Sequence, residues 1–445
     1  MATYATAPTT NPARQVPPHH RHHAKPARPS TSEAMRNQPS AVWAIAFACV
    51  VSFMGIGLVD PILPTIAAQL HASSTESELL FTTYLAFTGV AMFFTSWVSS
   101  RIGVKATLLI GLAVIVVFAV ACSASPSVSA IIGFRAGWGL GNALFISTAL
   151  SAIVSAATGG SAGAIILYEC ALGIGMAFGP LTGGALGTIT WRAPFLGTAT
   201  LMAIGLIAIA VLLKNNPHSK RKMHAAPVHL SAPFKAMTVP GMRTMSIVAF
   251  FYNMAFFTTL AYPPFALARH GVHSAIVIGL IFFGWGGLLA LSAVFVAPRL
   301  IQRTRRTTVA IGAMTALAIV LIACALLINS VPGLIVAIIL AGIPLGLLNT
   351  TLTECSMEAS DLPRPVASST YSGWRFLGGA IAPPLCTLLG NDTTAWMPFA
   401  YGALVIMISC LTIVVCRKTL HRADDMPETQ MQQAESINLA AQNLS

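Results

Sequence analysis

Among the chain's 13 acidic residues, three fall inside long apolar runs: Asp60, Glu169 and Glu354. A charge in hydrocarbon is costly, so a carboxyl group placed there is by default a candidate for carrying a proton or meeting a cation. Two arginines, Arg135 and Arg375, share that setting. Asp60 lies about nine residues from the outer end of its run, roughly 13 Å deep at 1.5 Å per helical residue. Arg135, whose run points the other way, lies about eight residues in, roughly 12 Å from the same surface. An ion pair between them that breaks on protonation would couple proton uptake to rearrangement. Asp60 is therefore read as the main coupling carboxylate and Arg135 as its partner. Glu169 is read as a second proton site or a counter-charge to a cationic substrate. Glu354, close to the inner end of its run, reads as an interfacial, solvated carboxylate, and Arg375 requires an anion that the sequence does not identify.

The elements that must position these groups follow from composition. The chain has 445 residues, 55% of them hydrophobic and 9% charged, with a mean hydropathy of +0.75. A soluble domain carries about 25% charged residues, so most of this exterior must face lipid. Runs of about 20 apolar residues, enough to cross ~30 Å of hydrocarbon, number twelve: 42–69, 79–99, 106–124, 127–154, 161–189, 194–214, 244–267, 274–297, 307–328, 331–355, 366–390 and 395–416. Apart from Arg192 and Arg269, and from Arg135 and Arg375 within runs, the 25 Lys and Arg residues fall in segments on one side of that arrangement. Basic loops mark the cytoplasmic side, so both termini are expected there, in a plasma (inner) membrane. The same distribution makes the net charge of +12 a topology signal and not a nucleic-acid footprint. The expected fold is an all-α polytopic membrane protein of two six-helix bundles. A disordered leader spans 1–40, the bundles span 41–214 and 244–416 around a linker at 215–243, and a disordered tail covers 417–445.

Three local motifs lie in the first half. After the second run comes Ser99-Ser100-Arg101-Ile102-Gly103-Val104-Lys105. The fourth contains Arg135-Ala136-Gly137-Trp138-Gly139-Leu140-Gly141-Asn142-Ala143, and the fifth contains Gly175-Met176-Ala177-Phe178-Gly179-Pro180-Leu181-Thr182-Gly183-Gly184. With the six-plus-six plan, these resemble the major facilitator superfamily, in particular its twelve-helix drug:proton antiporters. The resemblance implies that Arg101, Gly103 and Lys105 form a tight cytoplasmic turn that locks helices in one state, although Ser96 and Ser100 stand where the family has Gly and Asp. It also implies that Arg135 and Gly139 belong to the family's RxxxGxGxA segment. Gly175, Gly179, Pro180, Gly183 and Gly184 match the GxxxGPxxGG signature of its antiporters. Independently of family, GxxxG puts glycines on one helix face for close packing, and Pro180 removes a backbone hydrogen bond and can bend its helix.

Tyr84, Asn142, Tyr168, Tyr252, Asn253, Trp285, Asn349, Trp374 and Arg375 are the side chains expected to form a substrate surface, where aromatic faces suit flat apolar or cationic molecules. The eight cysteines lie in or beside apolar runs without metal spacing, and the cluster His19, His20, His22 and His23 reads as a solvated tail. No cofactor or metal is expected. The partners are a small-molecule substrate, protons and the lipid bilayer, without nucleic acid, and the chain is expected to act as a monomer. The reading is a secondary active exporter of lipophilic or drug-like molecules in exchange for protons, by alternating access. A proton-coupled importer or a metabolite or siderophore exporter of the same superfamily is the alternative, and a membrane-embedded transferase a more distant one.

Overall fold

Backbone N–H and C=O groups find no partners in hydrocarbon, so an apolar run must satisfy them within itself and folds as a helix. The computed structural model describes residues 38–58, 62–71, 74–156, 161–213, 228–390 and 393–424. The first six long helices are α1 (Ser40–Gly57), α2 (Ser74–Ile102), α3 (Val104–Ser123), α4 (Val128–Ala156), α5 (Ser161–Gly187) and α6 (Ala193–Leu212). The second six are α7 (Pro240–Ala261), α8 (Ala275–Leu291), α9 (Arg306–Leu326), α10 (Val331–Leu340 and Gly342–Glu358), α11 (Arg364–Leu389) and α12 (Met397–Val415). Eleven of these, taken with their direct extensions, are long and apolar enough to cross a membrane. The exception is α11, which is long enough but carries the polar stretch Ser368-Ser369-Thr370-Tyr371-Ser372 and then Arg375. Those side chains are buried, so α11 spends its polarity on the protein interior instead of on lipid.

The lipid-facing surface is legible in the exposed side chains. Val117, Ile207, Val211, Leu326, Leu404 and Val415 are each more than half exposed, an apolar display that a soluble monomer does not sustain. The first apolar run does not continue as one helix to residue 69: α1 ends at Gly57, and a separate short helix covers Leu63–Leu70. The second bundle likewise starts earlier than expected, with α7 beginning at Pro240 and preceded by a helical turn at Ala232–Ala236. A π-helical turn, Ser292–Val296, joins α8 to Ala297–Arg303. It lies just before Pro298, whose missing N–H cannot complete a regular ladder.

One face of the molecule bears the arginine-rich loops, and there order extends beyond residue 416. Arg417–Leu420 and His421–Asp424 form helical turns. Asp424 accepts hydrogen bonds from the Thr307 backbone N–H at 2.9 Å and from its hydroxyl at 2.6 Å. It thereby satisfies a donor at the start of α9 that lies too early for an intrahelical partner. Beside it Arg306 pairs with Glu354 at 3.1 Å and donates to the Ala423 carbonyl at 2.6 Å. The solvated reading of Glu354 is thus corrected: it is 5% exposed and ion-paired, because α9 and the tail close over the end of α10.

The turn between α2 and α3 has Gly103 at φ 89° and ψ 157°. That region is almost exclusive to glycine, and a side chain there costs on the order of 1–3 kcal/mol. Gly103→Ala is therefore expected to lower the thermal unfolding midpoint of the detergent-solubilised protein by several degrees. An unchanged midpoint would mean the turn adjusts without strain.

Candidate functional site

Close packing of the first bundle starts from α5. A Cβ on Gly179 would sit 2.6 Å from the Met54 carbonyl oxygen, and Gly175 and Gly183 press equally hard on Val50 and Leu58. Three glycines at four-residue spacing thus hold α5 against the α1 backbone. Gly184 faces the other bundle instead, where its Cβ would meet the Ala275 oxygen of α8 at 2.7 Å. The ten-residue motif therefore serves two contacts, one within the first bundle and one between bundles. Between α2 and α11, a Cβ on Gly89 would meet the Leu377 nitrogen at 2.8 Å. These two seams, α5 with α8 and α2 with α11, join the bundles along their length.

In α4, Arg135 is fully buried. Its Nε donates to the Leu80 carbonyl at 3.1 Å and its Nη1 approaches the Gly55 carbonyl at 3.5 Å. The guanidinium lies over the rings of Tyr84 at 4.4 Å and Trp138 at 5.2 Å, a setting in which cation–π attraction is strengthened by desolvation. Gly139 lets α4 approach α2, since its Cβ would meet the Tyr84 carbonyl oxygen at 2.6 Å. Asn142, expected to face substrate, accepts a hydrogen bond from Ser52 and so ties α4 to α1. Asp60 lies outside the described residues.

A second polar centre forms where α5 meets the other bundle. Glu169 is fully buried; its Oε1 accepts from Thr353 of α10 at 2.7 Å, while Oε2 has no hydrogen-bond partner among the described residues. Along α10 the site extends to Arg375 of α11, which bonds Asn349 one helical turn before Thr353. Its hydrogen bonds go to two amides, from Nε to Asn253 at 3.2 Å and from Nη2 to Asn349 at 2.6 Å. Asn253 in turn donates to the Arg375 backbone carbonyl at 2.6 Å, and the Tyr252 hydroxyl donates to Asn349. Counting residues along α5, α7 and α11 puts Glu169, Tyr252 and Arg375 roughly 12–18 Å from the basic face, near mid-membrane, at 1.5 Å per residue.

Elsewhere two of the expected cavity aromatics pack on phenylalanine rings. Trp285 meets Phe256 and Phe282 edge-on, and Trp374 meets Phe93 and Phe250. Both ends of the interface between bundles are bridged. Toward the basic face, Ser368 donates to the Ser147 carbonyl at 3.2 Å; toward the other face, the Phe81 and Phe257 rings touch at 5.7 Å. In the turn after α2, Lys105 donates to the Ala210 carbonyl near the end of α6 at 2.8 Å, and Arg101 stacks over Trp97 at 4.8 Å. Lys105 thus holds a helix C-terminus, where a cation is favoured.

Two residues that sequence reasoning passed over border the mid-membrane centre on its basic side, Thr353 and Tyr371. Thr353 lies four residues after Asn349, one helical turn along the same face of α10, and that spacing was the available signal.

Among the described residues, twelve long helices in two sets, joined along two seams with buried ionisable groups between them, have the architecture of a membrane transporter. The family model described as Major Facilitator Superfamily matches residues 45–383, and the chain belongs to that family. It is 48% identical to the multidrug efflux protein YfmO of Bacillus subtilis (strain 168) over 386 residues, which cover 86% of this chain and 95% of that protein. It is also 27% identical to the class C tetracycline resistance protein of Escherichia coli, across 59% of this chain and 68% of that one. The tetracenomycin C resistance and export protein of Streptomyces glaucescens is 30% identical over 41% of this chain and 34% of its own length.

Proposed function

We propose that this protein exports drug-like small molecules from the cytoplasm in exchange for protons, by alternating access, as a monomer in the plasma membrane with both termini inside. Direction and substrate class are supported by the efflux and resistance proteins it resembles, above all the multidrug efflux protein that it covers almost end to end. The exchange is carried by one observation: Glu169, on the first bundle, shares its buried carboxyl group with Thr353 of the second and leaves one oxygen without a hydrogen bond. A carboxyl at such a seam feels any separation of the bundles. Protonation removes its charge, so its proton occupancy and the closure of the seam depend on each other. Arg135, bound to carbonyls of α1 and α2, is the matching cation of the first bundle, with Asp60 as its coupling partner.

Everted membrane vesicles test this reading. Adding a lipophilic ammonium dye should discharge an imposed pH gradient in vesicles that contain the protein and not in vesicles that lack it. Asp60→Asn should slow the discharge. A parent rate in that variant removes Asp60 from coupling, and no discharge by the parent protein with cationic, neutral or zwitterionic drug-like probes overturns proton exchange altogether.

A further inference from the structure

The mid-membrane centre has opposite charges on its two sides, and among the described residues neither is in ion-pair contact. On the α5 side, Glu169 offers Oε2, an acceptor with no donor among the described residues. On the α7, α10 and α11 side, Arg375 uses Nε and Nη2 on neutral amides, and among the described residues no carboxylate is in ion-pair contact with it. Asn349 adds a buried Nδ2 donor without an acceptor among the described residues, on the same amide whose oxygen holds the Arg375 Nη2. Arg375 is 7% exposed and Glu169 is fully buried. Charges held that far from water cost several kcal/mol each and persist where function requires them. Tyr371 lies one turn before Arg375 in α11 and is buried.

We propose that this centre selects zwitterionic substrates: aromatic molecules that carry an ammonium for Glu169 and a carboxylate or enolate for Arg375 and Asn349. The inference rests on the exchange reading above and gives it a substrate class. A substrate that is only an anion would bind best when Glu169 is protonated, because the carboxylate no longer competes for Arg375. Anion and proton would then travel together, the opposite of exchange. A substrate that is only a cation would compete with the proton, as exchange requires, but would leave Arg375 and the Asn349 amide without an acceptor. The zwitterion meets both conditions. Its ammonium takes the place of the proton on Glu169, the released proton leaves to water, and one positive charge replaces another. Its anionic group accepts from Arg375 and Asn349, while Tyr371 flanks the aromatic body.

The test uses three probes on one scaffold: an arylpiperazine carboxylic acid, its methyl ester and its N-acetyl derivative, which are zwitterion, cation and anion at neutral pH. Binding to the purified full-length protein is read by tryptophan fluorescence, and exchange by discharge of a pH gradient in proteoliposomes. The zwitterion is expected to bind about tenfold or more tightly than either derivative, the worth of one charge-assisted buried contact. Arg375→Gln should bring its affinity down to that of the ester, and Arg375→Lys should restore part of the difference. Equal binding of all three probes by the parent protein overturns the proposal. So does an Arg375→Gln variant that weakens zwitterion and ester by the same factor, the signature of a structural arginine. Selective zwitterion binding without any discharge would keep the site and sink the exchange reading.

Discussion

Glu169→Gln is expected to leave the protein folded and to reduce substrate-driven proton exchange to the level of vesicles that lack the protein. The amide has nearly the shape of the carboxyl and still offers an oxygen to Thr353, whose hydroxyl donates at 2.7 Å. What it lacks is a titrating group at the seam between bundles. Because a cationic substrate group competes with the proton for the same oxygen, binding in the parent protein should strengthen as pH rises across the titration of Glu169. In Glu169→Gln that dependence should flatten, since nothing remains there to release a proton. The pair of measurements separates coupling from stability: the unfolding midpoint reads the fold, and the pH dependence reads the carboxyl. A variant that keeps the parental pH dependence would move the coupling role away from Glu169.

The second large effect belongs to the glycine seam. Gly179→Val places a branched side chain where even a Cβ would come within 2.6 Å of the Met54 carbonyl oxygen, with the Met54 carbonyl carbon and Cα both at 3.3 Å. Backbone atoms cannot step aside as a flexible side-chain end can, so α1 and α5 must separate. Overpacking of this kind costs about 1–3 kcal/mol, and the displaced helix is the one that carries Glu169. Thermal unfolding of the purified protein should fall clearly, and transport should fall further than stability alone explains. Gly287→Val is the control, because among the described residues nothing lies within 4 Å of a Cβ there. Equal midpoints for the two variants would deny the seam any special tightness.

Much of the fold is legible in local composition, and the site is legible only in part. Glu169 and Arg375 stand out because an ionisable side chain in an apolar run is rare and has to be accounted for by a partner. Their partners do not stand out. Thr353 lies 184 residues from Glu169, and threonine is unremarkable in a helix, so no local pattern ties it to a carboxylate. Glu354, judged from its place near the end of a run, looks solvated. It is instead enclosed, because Arg306 of the neighbouring helix and the ordered start of the tail reach over it. Asn142 shows the reverse: it looks available to a substrate, yet its oxygen is already taken by Ser52. α11 escapes a test of apolarity for a related reason, since its polar face meets protein on the inside of the molecule.

By itself the sequence determined the solvent, the helical character and the count of crossings. Each of these depends on about 20 consecutive residues and on hydrogen bonds that close within one turn. The glycine spacing in α5 likewise announced a tight contact, because four residues return to the same face of a helix. Only the tertiary structure decided that Gly175, Gly179 and Gly183 meet α1 while Gly184 meets α8. Only the tertiary structure brought Glu169 to the same centre as Arg375, Asn349 and Thr353. Those outcomes depend on how helices rotate about their axes and which faces they present to one another, and that is settled by side chains more than a hundred residues apart in the chain.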